Sequence, residues 1–103
     1  MKFNYMDKDG NVLTSVTVNN FTKKVKIVDY TNDIMDRAFG VKEKVTYADV
    51  MDFFEDRTFP RNRADLQNIL DCLGLKKYDP YSMCKKLNGK TAQDENWIDF
   101  LED

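Results

Sequence analysis

Histidine is missing from this chain of 103 residues. With it go the commonest general base, the imidazole metal ligand and every Ser-His or Cys-His dyad. Cysteine is scarce: Cys72 and Cys84 are the two present. A zinc site built from two thiols and carboxylates would be a poor structural set, so no metal and no cofactor are expected. Both cysteines lie in helical patterns among apolar neighbours, which reads as two reduced core thiols rather than a bridge. No apolar run approaches the roughly 20 residues that cross a bilayer, and no signal-peptide pattern opens the chain, so a cytoplasmic location is expected. Nor is there an excess of positive charge: the formal net charge is −2 and the pI about 5.1. A general nucleic-acid coat needs a basic surplus to release counterions from phosphates, and direct nucleic-acid binding is not expected.

What the chain does have is aromatic bulk, with seven Phe, five Tyr and one Trp, inside a composition that is 33% charged. That supports one globular domain, residues 1–103, burying roughly two-thirds of its unfolded surface. Alternating residues at 2–6, 12–18 and 25–28, separated by Asp7-Lys8-Asp9-Gly10 and Asn19-Asn20, predict a three-stranded antiparallel meander. Residues 31–44 have no clean period and read as an ordered loop. Thr46, with Asp49 three residues on, predicts a capped helix whose apolar stripe is Tyr47, Val50, Met51, Phe53 and Phe54. Asn62 is the expected cap of a second helix over residues 64–73, striped by Leu66, Ile69, Leu70 and Leu73 and stopped at Gly74. Asp79-Pro80 opens a third, with Tyr81, Met83, Cys84 and Leu87 inward and Gly89 at its end. Residues 97–101 alternate and read as a short C-terminal strand, with a helical turn as the alternative. The fold class is therefore α+β, with the meander packed on two or three short helices.

Two motifs tempt and fall short. Asp7-Lys8-Asp9-Gly10-Asn11 resembles the start of a calcium loop, but its glycine comes fourth instead of sixth, and Val18 stands where the closing glutamate belongs. A hairpin turn explains it better. Gly89-Lys90-Thr91 has the tail of a phosphate loop, but Cys84 occupies the position of the first glycine and a helix, not a strand, comes before it. Neighbouring acids such as Glu55 and Asp56, or Asp94 and Glu95, point apart on a helix and read as solvated charges. No catalytic residues are assigned, and the chain is expected not to be an enzyme.

The sharpest signal is the turn after the first helix, Glu55-Asp56-Arg57-Thr58-Phe59-Pro60-Arg61-Asn62-Arg63, with three arginines in seven residues around Phe-Pro. Arginine stacks on aromatic rings and grips carboxylate or phosphate with paired donors. Exposed arginine beside an aromatic is common hot-spot chemistry, so Arg57, Phe59, Arg61 and Arg63 are the candidate partner-binding residues. The structural alternative is that one arginine pairs Glu55 or Asp56 and another Asp65 or Asp79, merely pinning the turn.

The order of signals resembles the N-terminal small subdomain of HipA-type toxin kinases. In that family a Phe-Phe-Asp stretch precedes a Leu-Pro turn and a later arginine, and a further helix leads into a glycine-aspartate segment. The matching pieces here are Phe53-Phe54-Glu55, Phe59-Pro60, Arg63, residues 81–87 and residues 89–94. The family's kinase core has no room in 103 residues. The resemblance thus implies a stand-alone, antitoxin-like partner of a kinase-like toxin. The chain also resembles small proteins of Gram-positive bacteria and their mobile elements that carry a Phe-Pro-Arg/Lys-x-Arg segment. The expected function is a non-catalytic module that binds and regulates a protein partner. The alternative is a phage or mobile-element inhibitor of a host defence nuclease, of the anti-CRISPR type, which would lead with Asp94, Glu95, Asp99, Glu102 and Asp103.

Overall fold

A computed structural model describes residues 1–59, 62–91 and 94–102. The meander is present: β1 (Lys2–Met6), β2 (Val12–Val18) and β3 (Val25–Asp29) are joined by two tight turns. The C-terminal strand β4 (Trp97–Glu102) adds antiparallel to β1, giving one sheet in the order β3-β2-β1-β4. Asp7 builds the first turn. Its carboxylate accepts from the backbone N–H of Asp9 and Asn11 at 2.9 and 2.8 Å. Asn19 builds the second, accepting from Phe21 and Thr22 N–H. These are Asx turns, and they account for the aspartate-rich start without a metal.

The register decides which face is buried. Phe3 stands opposite Val16 and Phe100, and Tyr5 opposite Thr14 and Ile98. These residues, with Val18, Val25 and Ile27, form the face that the helices cover. The other face, carrying Lys2, Asn4, Ser15, Thr17, Lys26 and Asp99, is left open, and its polar alternation is what such a face requires. Three α-helices make the second layer among the described residues: α1 (Tyr47–Asp56), α2 (Leu66–Leu73) and α3 (Pro80–Leu87). Thr46 and Asp49 form a complete reciprocal capping box, and Lys42 adds a 2.7 Å bond to Asp49. That lysine and the Thr46 N–H hold the Asp49 carboxyl down to about 2.

The core is aromatic. Phe3 lies 5.0 Å from Phe54, 5.9 Å from Phe100 and 6.2 Å from Phe53, and Tyr81 closes on Phe54 at 5.4 Å. Residues 31–44 are the expected connection, with one 3-10 turn at Ile34–Asp36 capped by Asp33. The buried Thr14 hydroxyl ties that connection to the sheet, donating to Asp29 at 2.9 Å and accepting from Ala38 N–H at 3.2 Å.

Three expectations need correcting. Helix α2 begins at Leu66, not at residue 64, and Asn62 does not cap it. Asp65 holds the N-cap position but makes no side-chain cap, because its carboxylate is taken by Arg63 Nε at 2.7 Å. Cys72 is exposed rather than in the core, because only Leu70 of α2 is fully buried and Cys72 lies on the outward side. Cys84 is the buried thiol, and burial pushes its pKa up to about 12.

Candidate functional site

The arginine turn divides into an inside and an outside. Arg57 is the C-cap residue of α1, and α1 ends where the aromatic core meets β1, so its side chain runs inward and is only 8% exposed. Its five N–H groups all find acceptors. Nε donates to Gly89 O at 2.8 Å; Nη1 donates to the Tyr5 hydroxyl at 3.3 Å and Asp94 Oδ2 at 3.2 Å; Nη2 donates to Asp94 Oδ1 at 2.9 Å and Asn96 O at 3.0 Å. The guanidinium also sits 5.0 Å from the Tyr5 ring centre. Burial alone would lower its pKa, but the Asp94 hydrogen bond and nearby charges outweigh that and raise it. In turn Arg57 holds the Asp94 carboxyl below the usual range. One side chain thus joins β1, α1, the end of α3 and the lead into β4. It has no donor left for a partner.

Phe59 and Arg63 lie outside this knot. The Phe59 carbonyl accepts from the Tyr78 hydroxyl at 2.9 Å, which fixes the turn against the start of α3. The Arg63 guanidinium lies 5.0 Å from the Phe59 ring centre and pairs with Asp65, whose carboxyl is lowered by that bond. Arg63–Asp65 is a pairing the sequence offered; the partner of Arg57 is Asp94, not Glu55 or Asp56. Arg61, together with Pro60, lies outside the described residues.

Beside Phe59 opens a shallow groove of about 400 Å³, lined by Phe59, Asp65, Asn68, Ile69, Cys72, Leu73 and Leu87. It exists because α2 carries a stripe of three leucines and one isoleucine and buries only part of it. Leu70 is buried, whereas Leu66, Ile69 and Leu73 remain half-buried. Sequence periodicity finds the stripe but not which of its residues are covered. The signal that separates covered from uncovered stripe residues is tertiary, since α1 and α3 pack together whereas α2 has no comparably extensive contact with another element.

The C-terminal acids do not gather. Asp94 accepts from Arg57 and from Asn96 N–H, and Glu95 lies 3.5 Å from Lys8. Asp99 stands on the open face opposite Asn4, and Glu102 opposite Lys2. Asp103 lies outside the described residues. Among the described residues no group of three or more metal-ligating side chains comes together, and no helix is long and apolar enough to cross a membrane. In comparisons with protein-family models, curated proteins and solved structures, none matches this chain.

Proposed function

We propose that the chain is a non-catalytic protein-binding module of the antitoxin type, which neutralises or regulates a kinase-like partner through the α2 groove. The observation that carries this is the half-buried pair Ile69 and Leu73, left open beside Phe59, over whose ring the Arg63 guanidinium lies. An apolar trough with an aromatic and a cation at its edge suits a partner's apolar side chains flanked by an acid. The proposed contact is narrower than the arginine-rich turn suggests, because Arg57 is engaged inside. The alternative inhibitor of a host nuclease has less to lead with, since Asp94 and Glu95 already face Arg57 and Lys8.

The test is affinity capture of the tagged chain in its native host, followed by mass spectrometry, with wild type beside Cys72→Asp and Arg63→Glu. Both positions are exposed and neither touches the core. A stoichiometric kinase or toxin prey should drop at least tenfold with either variant while the circular dichroism stays unchanged. Equal recovery with both variants sinks the groove as the contact. A nuclease as prey favours the inhibitor, and no stoichiometric prey sinks the binding-module reading itself.

A further inference from the structure

The sheet ends on β3, and its outer edge is not blank. Asn19 N–H donates to Lys24 O at 2.9 Å and Tyr30 N–H donates to Leu13 O at 2.9 Å. With the register Val18–Val25 and Thr14–Asp29, these bonds phase the ladder. Lys24, Lys26, Val28 and Tyr30 turn their backbone groups to β2, so Val25, Ile27 and Asp29 turn theirs to the free edge. Among the described residues no hydrogen bond engages the backbone of Val25 or Ile27.

Along that edge runs a groove of about 570 Å³, lined on one side by residues 23–27 and on the other by residues 43–47. Its two faces differ chemically. Val25 and Ile27 belong to the helix-facing side of the sheet, where Val45 and Tyr47 stand across the groove. Lys26 belongs to the open face, and strand alternation places Lys24 with it. The groove's charged side chains are Lys23, Lys24, Lys26 and Lys44 against the single acid Glu43. Lys23 reaches across to Tyr47, with Nζ 4.5 Å from the ring centre. Lys24, Lys26 and Lys44 have no carboxylate partner among the described residues.

We propose that this edge is a docking site for an extended acidic segment of a protein partner, added as a fifth, antiparallel or parallel strand beside β3. The free N–H and C=O groups of Val25 and Ile27 supply main-chain bonding, as in other strand additions. The pleat then dictates the sequence it takes: apolar residues facing Val25, Ile27 and Val45, alternating with acids facing Lys24 and Lys26. Lysines on an edge strand also repel a second copy of the same edge, so the charge that blocks self-pairing selects an acidic strand. This site shares no residue with the α2 groove and stands or falls apart from it.

The probe is a capped eight-residue peptide alternating valine and glutamate, titrated into the full chain at low salt and followed by NMR. Saturable binding is expected, with shifts centred on the Val25 and Ile27 amides and slowed exchange of both. Affinity should fall at least tenfold for Lys24→Glu/Lys44→Glu, and by as much for a peptide N-methylated at alternate residues, which keeps its charge but cannot pair. Arg63→Glu should leave it unchanged. Shifts that map elsewhere, equal binding of the N-methylated peptide, or tighter binding of an eight-nucleotide oligothymidylate at the same lysines would each overturn the proposal. So would self-association of the chain through β3 in sedimentation.

Discussion

Arg57 and Arg63 belong to the same short turn, yet they live in different dielectrics. Arg57 is 8% exposed with every donor bonded, whereas the Arg63 side chain is 45% exposed and meets one carboxylate and one ring. The acceptors of Arg57 lie far along the chain, in Tyr5, Gly89, Asp94 and Asn96. The partners of Arg63 are local, the Phe59 ring and the Asp65 carboxylate. The contrast shows that a cluster of like residues need not act as a unit. The one that can reach long-range acceptors becomes a fold pin, and the one that cannot stays at the surface, held by local contacts.

The strongest way to break the contrast is to remove the pin. Arg57→Ala leaves the Gly89 and Asn96 carbonyls without their donor, while the Tyr5 hydroxyl keeps its bond from Asn96 Nδ2. It should destabilise the domain by about 3 kcal/mol, the lower end of the range for a broken buried pair, because Asp94 can turn back to water. Urea unfolding measures it, and a loss below about 1 kcal/mol would mean the five bonds are dispensable. Gly89→Ala attacks the same knot from its acceptor side. Gly89 has φ +65°, and an added Cβ would come within 2.5 Å of Ile98 Cγ1 and 2.6 Å of its Cδ1. Left-handed strain and overpacking together predict a loss of about 2 kcal/mol, with the Ile98 and Arg57 signals moving together in NMR.

A smaller effect is expected from the other half of the ion pair. The Asp94 side chain is 39% exposed, so solvent screens its bond to Arg57, and Asp94→Asn should cost about 1 kcal/mol at pH 7. The pH dependence has a definite sign. Asp94 and Asp49 both have folded-state values below the ordinary 3.8, Asp49 at about 2. Their stabilisation is therefore complete above about pH 4, and it is lost as pH falls through the folded values. Acid titrations followed by circular dichroism should show a shallower decline below pH 4 for Asp94→Asn than for wild type. A steeper decline would reverse the assignment.

Much of the fold was legible because its signals are local. Strand alternation, the Asx turns, the Thr46–Asp49 box and the Asp79-Pro80 start each need only a few adjacent residues. The site was legible only in part. Phe59 lines a groove and Arg63 lies against its ring, but nothing near Arg57 marks it as buried. Its acceptors are brought near by β4 joining β1 and by the end of α3, which no window along the sequence contains. Cys72 misled for the same reason. It falls between Leu70 and Leu73 in an apolar stretch, and only tertiary packing decides which of them is covered.

The smallest expected effect is the most informative about function. Arg63→Glu removes an exposed ion pair with Asp65 and a cation–ring contact with Phe59, neither of which holds two distant parts of the chain together. Its change in stability should stay within about 0.5 kcal/mol, as for other surface positions. The Phe59 carbonyl keeps its bond from Tyr78, so the turn and the groove beside it retain their shape. If the urea midpoint moves as far as it does for Arg57→Ala, then both arginines are pins and the contrast between them collapses. If it stays put while the tenfold loss of a captured partner appears, stability and recognition have been separated onto two arginines of one turn.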